Sequence, residues 1–118
     1  PNPPRTGSSY QQVARQSGGY ALAAVTSVVT LDEKDKCKSV RMILMGVGEM
    51  PILSQKVGEM LTGKEASEEL FKEIGEAVQS EIDPSTDLNG TSEYRRDLIR
   101  VLVPRSLSTA FERAKKGN

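Results

Sequence analysis

The residues of this chain that could do chemistry are few, and the missing ones narrow the field first. There is no His in 118 residues, which removes the usual general base and the commonest metal ligand. The single cysteine, Cys37, cannot form an internal disulfide and cannot alone build a zinc or iron–sulfur site. With no His and scattered serines, no nucleophile–base pair of a hydrolase or transferase can be assembled. Neither GxxxxGK[ST] nor GxGxxG occurs, so no phosphate-cradling loop is encoded. Glu65, Glu68 and Glu69 cluster, but one helix face does not supply the convergence an oxygen-ligand cage needs. They read as a solvated face placed where a helix dipole favours negative charge. Tyr20, directly after Gly18 and Gly19, reads from its own residues as a tyrosine at a strand start with its hydroxyl in solvent, although the glycines would permit close approach to its ring.

The elements that must position these residues read as strands first and helices after. Residues 1–9, opening Pro1-Asn2-Pro3-Pro4, read as a Pro, Gly and Ser-rich linker cut from a longer polypeptide. Residues 10–16 are expected to be helical or irregular, and Ser17-Gly18-Gly19 breaks them. Residues 20–31 read as a strand, carried by the β-branched Val25, Thr26, Val28, Val29 and Thr30. A charged turn at 32–36 leads to a second strand over 37–45, with Val40, Met42 and Leu44 on one face, and a turn this short makes the pair antiparallel. Gly46 to Pro51 is irregular or a short edge strand that Pro51 ends.

From Leu53 the period becomes helical. Leu53, Val57, Met60 and Leu61 form one stripe of a short helix ended by Gly63. A second helix over 65–80 buries Ala66, Leu70, Phe71, Ile74, Ala77 and Val78, and Asp83-Pro84 stops it. Asp87 to Gly90 is turn chemistry, and Thr91 or Ser92 caps a third helix. Its expected buried stripe is Tyr94, Leu98, Val101 and Leu102, with Arg95, Arg96, Asp97 and Arg100 mostly on the wet side, where arginines can pair with Asp97 or Glu93 for about 0–1 kcal/mol each. Pro104 should kink or divide it, and the stripe resumes with Leu107, Ala110 and Phe111. The fold class is α+β, a small antiparallel sheet of three to four strands packed on three helices in two layers.

Composition excludes several classes of partner. Sixteen basic and sixteen acidic residues cancel, so nothing electrostatic favours nucleic acid. No apolar run is long enough for a membrane span, and no stretch has the shape of a secretory signal. Together with the lone cysteine, these features favour the cytoplasm.

Four blocks, in order, carry a resemblance: Tyr10-Gln-Gln-Val-Ala-Arg15, Gly18-Gly-Tyr-Ala-Leu-Ala-Ala-Val25, Gly46-Val-Gly-Glu-Met-Pro51, and Ile82-Asp-Pro with Ser92-Glu-Tyr-Arg-Arg-Asp-Leu-Ile-Arg-Val-Leu-Val103. The chain from residue 10 to 118 resembles the C-terminal domain of the FAD-binding subunit of molybdenum hydroxylases, the carbon monoxide dehydrogenase and xanthine dehydrogenase group. The resemblance implies an oxidoreductase in which electrons pass from a molybdenum cofactor through iron–sulfur (2Fe-2S) clusters on partner chains or domains to FAD, and on to an external acceptor. It implies that upstream FAD-binding domains hold most of the nucleotide, that iron–sulfur and molybdenum subunits are partners, and that this domain closes over the flavin ring.

Residue by residue, Tyr20 matches the family aromatic that lies against the flavin, with Gly19 and Gln12 beside it. Two departures stand out. The family commonly has Lys where Gln12 stands and Asp where Gly19 stands, so Gln12 keeps a hydrogen-bond donor without charge and Gly19 brings no side chain. They favour the other reading, a non-catalytic interaction module that keeps the fold and no longer touches a flavin. Substrate and acceptor are not encoded here.

Overall fold

A computed structural model describes residues 5–14, 21–46, 50–82 and 92–116. Four strands, β1 (Thr6–Ala14), β2 (Ala21–Leu31), β3 (Cys37–Met45) and β4 (Ile52–Leu53), form one antiparallel sheet in sequence order. Helices α1 (Lys56–Leu61), α2 (Glu68–Ala77) and α3 (Ser92–Lys115) follow, with a 3-10 turn at Val78–Glu81. The α+β sandwich expected from the sequence is what forms.

The strand periodicity sets the two faces. In register, Gly7, Ser9 and Gln11 lie opposite Val29, Ser27 and Val25, which in turn lie opposite Val40, Met42 and Leu44. Val25, Ser27, Val29, Met42 and Leu44 are all fully buried, so this is the face the helices cover. The alternate residues, Tyr10, Gln12, Thr26, Val28, Arg41 and Ile43 among them, form the other face, which no described helix covers.

Two expectations at the N-terminal side are corrected. Residues 6–9 are not linker, and 10–14 are neither helical nor irregular, because Thr6–Ala14 is one nine-residue strand. Its sequence hides this, since its helix-facing side runs Gly7, Ser9 and Gln11 before Val13 supplies an apolar residue. The reason is the proximity of α3. A Cβ on Gly7 would overlap the Ala110 carbonyl oxygen and the Ala114 amide nitrogen, so only small groups fit there. Ser106 Oγ, fully buried, donates to Ser27 Oγ at 2.8 Å across the same seam.

The helix layer differs in phase and length from the sequence reading. Leu53 is on β4 and 58% exposed, and α1 begins only at Lys56. Its start is held from a distance: Glu81 accepts from Ser54 Oγ (2.6 Å), Gln55 N (2.7 Å) and Lys56 N (3.2 Å). Gly63 ends it at φ +84°, as expected, and donates its N–H to Cys37 O at 2.7 Å, tying the helix end to β3.

α2 begins at Glu68 rather than 65, because Ser67 supplies the N-cap and accepts from Leu70 N, a contact worth about 1 kcal/mol. Ala66 is left exposed. In α3 the buried stripe is Arg95, Ile99, Leu102, Val103, Ser106, Leu107, Ala110, Phe111 and Ala114. Tyr94 and Val101, expected inside, are 46% and 49% exposed. Pro104 does not divide the helix. Its ring lies beside Gly75 of α2, as does the Arg100 carbonyl, whose i+4 position is the proline without an N–H; a Cβ at Gly75 would sit 3.3 Å from that oxygen. Phe71 of α2 and Phe111 of α3 meet with ring centroids 5.4 Å apart, closing the core. The expected stop at Asp83-Pro84, the turn over 87–90 and Thr91 lie outside the described residues.

Candidate functional site at one end of the sheet

The two ends of the sheet are built differently. At one end, the β2–β3 turn is closed by Asp32, whose Oδ1 accepts from Lys34 N at 2.8 Å and Lys36 N at 3.0 Å. These amides, Lys36 first, hold the Asp32 carboxyl below its ordinary range. Asp35 of the same turn pairs with Arg5, and both adopt positive φ, near 62–63°. A depression of about 670 Å³ lined by Arg5, Leu31, Asp32, Glu33 and three lysines opens there. Its lining mixes four basic residues with the carboxylates of Asp32 and Glu33, and Asp32 and Arg5 are already engaged within the turn.

At the opposite end lie the strand ends that flank two of the sequence motifs. Ala14 pairs with Ala21 and Ala24 pairs with Met45, so the connection over 15–20 and the connection that leaves Met45 through Gly46 depart from the same end of the sheet. Gly46 adopts φ +79°, a backbone region that glycine enters without strain. The strand ends that flank two of the four resembling blocks, Ala14 and Ala21 for one and Met45 for the other, therefore lie at the same end of the sheet. Met50 and Leu53, on the far side of the second connection, are 74% and 58% exposed.

Of the three residues singled out from sequence, Tyr20 and Gly19 lie outside the described residues, as does Arg15. Gln12 is described. It sits exposed on the uncovered face of β1, in register with Ala24, and its Oε1 accepts from the Tyr10 hydroxyl at 3.0 Å. That bond engages the amide oxygen, so Nε2 is the side chain's donor. Tyr10 itself, 52% exposed, was missed as a partner of Gln12. The signal for it was the i, i+2 spacing, which places both side chains on one face once the segment is known to be a strand.

Other conspicuous groups are structural. Cys37 is 1% exposed, and its Sγ donates to Ser39 O at 3.3 Å. Burial pushes its thiol up to about 11, so it is no nucleophile near neutrality. Arg96 donates to Gln79 O at 2.9 Å and to Ile82 O at 3.3 Å, and Arg100 pairs with Glu76 and Asp97. These arginines fasten α3 to α2 and its 3-10 extension. A groove of about 400 Å³ between α2 and α3, lined by Phe71, Lys72, Pro104, Arg105 and Ser108 among others, lies in the helix layer. Among the described residues no group of three or more His, Cys, Asp or Glu side chains could hold a metal ion, and no helix is long and apolar enough to cross a membrane.

Comparison with known proteins agrees with the blocks. Residues 8–110 match the family model described as the CO dehydrogenase flavoprotein C-terminal domain. The chain is 31% identical over 113 residues to the 6-hydroxypseudooxynicotine dehydrogenase complex subunit alpha of Paenarthrobacter nicotinovorans, covering 96% of this chain and 38% of that protein. It is 33% identical over 94 residues to the glyceraldehyde dehydrogenase medium chain of Sulfolobus acidocaldarius, covering 80% of this chain and 33% of that one. Among solved structures, a reconstituted CO dehydrogenase from Oligotropha carboxidovorans superposes with a TM-score of 0.86 at 27% identity, over 95% of this chain and 39% of the other. The chain thus spans well under half the length of the relatives it matches. A family match over nearly the whole chain, with the same sheet and helices beneath it, leaves one assignment: the chain belongs to the CO dehydrogenase flavoprotein C-terminal domain family, the C-terminal domain of FAD-binding subunits of molybdenum hydroxylases.

Proposed function

We propose that this domain serves in a multisubunit oxidoreductase of the molybdenum hydroxylase type. There it covers the flavin ring of the FAD subunit and helps that subunit meet its iron–sulfur and molybdenum partners. The observation that carries the reading is that the strand ends flanking the Gly18-Gly-Tyr and Gly46-to-Pro51 blocks share one end of the sheet, in a chain of this family. Tyr20 is the residue that lies against the isoalloxazine ring, an aromatic face offered to an extended π-system. Gly19 lets the backbone approach, and Gln12, with its oxygen engaged by Tyr10, directs an N–H toward the flavin's acceptor atoms. The residues present therefore fit a flavin edge: a stacking surface, a close-approach glycine and one neutral donor. Bound FAD supplies the redox chemistry, taking up electrons that originate at the molybdenum centre and releasing them to an external acceptor. The domain's own contribution is to exclude water from one side of the ring and to fix its polar surroundings. With Gly19 in place of the family's usual Asp, and Gln12 in place of Lys, neither of these two positions brings a side-chain charge to the ring.

Flavin spectroscopy on the full-length FAD subunit tests this. Tyr20→Ala should raise flavin fluorescence and shift the visible bands, whereas Tyr20→Phe, which keeps the ring, should leave both near wild type. Gly19→Asp should move the flavin midpoint potential. A Tyr20→Ala subunit with unchanged spectrum, together with an unchanged Gly19→Asp midpoint, would sink the flavin reading and favour the interaction module that the two departures suggest.

A further inference from the structure

The uncovered face of the sheet is not uniform along the strands. Near the Arg5–Asp35 turn it is polar: Thr6 and Thr30 share a hydroxyl–hydroxyl hydrogen bond at 2.8 Å, with Ser8, Ser39 and Arg41 beside them. Toward the end where the two motif-bearing connections leave, it becomes mostly apolar, the exposed Gln12 beside Ala24 being its polar member. Tyr10 pairs with Thr26 and Thr26 with Ile43, while Ala24 pairs with Met45 and Ile43 with Leu53. Tyr10 and Leu53 are more than half exposed, and Thr26, Val28, Ile43 and Met45 are only half buried by their neighbours. Arg41 is the one charged side chain among these register positions. A contiguous apolar patch on one half of a sheet marks an interaction surface rather than a wetted one.

Its place decides its occupant. The patch is continuous with the end of the sheet at which Tyr20 would meet a flavin. Whatever carries that flavin must come to this end, and the adjoining apolar half-face is the surface it reaches next. In the relatives, more than half of the polypeptide lies outside the matched region, and the family match is to a C-terminal domain. We infer that the apolar half of the open face, Tyr10, Thr26, Val28, Ile43, Met45 and Leu53, docks the flavin-carrying part of the same subunit. This rests on the flavin-covering reading for its occupant. The contact is side-chain packing on a sheet face, so it needs an apolar surface opposite and tolerates no buried unpaired charge.

Hydroxyl-radical footprinting of the full-length FAD subunit tests the docking. Tyr10 and Met45 should be labelled several-fold more slowly than Tyr94, which is exposed on the helix side. Ile43→Lys should raise labelling of Tyr10 and Met45 to the Tyr94 rate and enlarge the subunit's radius of gyration in solution scattering. Thr26→Lys, a second charge on the same patch, should do the same. Equal labelling of Tyr10, Met45 and Tyr94 in the wild-type subunit would overturn the proposal. Protection that vanishes on dilution would also overturn it, by assigning the face to a second copy of the chain. The flavin reading fails separately: a Tyr20→Ala subunit with an unchanged flavin spectrum, but with Tyr10 and Met45 still protected, would retain the docking face and remove the stacking.

Discussion

Cys37 shows how burial, rather than neighbouring charge, decides what a reactive side chain can do here. Its thiol is raised from an ordinary 9.0 to about 11, first by burial and then by the Asp32 charge. The folded chain therefore keeps a proton that the unfolded chain releases. Stability is undiminished below pH 9, and it falls as pH rises from 9 towards 11, because only the unfolded state gains from ionising in that window. Two results are expected. Iodoacetamide at pH 8 should leave the folded protein unmodified while labelling Cys37 promptly in denaturant. Cys37→Ala should flatten the loss of denaturant midpoint between pH 9 and 11, and rapid labelling of the native protein would show the thiol to be accessible after all. The same scale explains which candidate was legible in sequence. Gln12 and Tyr20 stood out through blocks of residue types, whereas the Tyr10–Gln12 hydrogen bond became visible only once the segment proved to be a strand.

At the scale of elements, the sequence periodicity was sufficient where side chains alone choose the face and insufficient where backbones approach closely. β2 and β3 were legible because branched and apolar residues alternate through Val25, Val29, Met42 and Leu44. β1 was not, because its inner face had to be small and polar under α3. The α3 phase is legible after Pro104, through Leu107, Ala110 and Phe111, but not before it, where Leu98 and Ile99 compete for the inside and Tyr94 and Val101 prove exposed. The start of α1 was also beyond local reading, since its cap comes from a residue some 25 positions away. Glu81→Ala would leave Ser54 Oγ and the Gln55 and Lys56 amides without their acceptor, at a cost of about 1–3 kcal/mol. A guanidinium titration should show a lower midpoint at unchanged slope; a midpoint equal to wild type would mean water replaces the carboxylate without loss.

For the whole molecule, the decisive contact joins the first strand to the last helix. Gly7→Ala inserts a Cβ where the α3 backbone already sits at Ala110 and Ala114, and no flexible side chain is there to yield. The helix must lift from the sheet, costing about 1–3 kcal/mol or more; a thermal midpoint unchanged from wild type would show that α3 shifts freely. By contrast, substitutions on the open face, such as Ile43→Lys, should leave the domain's own unfolding nearly unaltered, because no described element of the domain covers it. The Gly7 contact also has a consequence in time. Its two halves are about a hundred residues apart in the chain, and at roughly 5–20 residues per second of synthesis β1 waits on the order of 5–20 seconds for its cover. Until then the strands already made show apolar surface, as a client for holding chaperones, and the emergence of Ala110 and Ala114 ends the exposure on the helix-facing side.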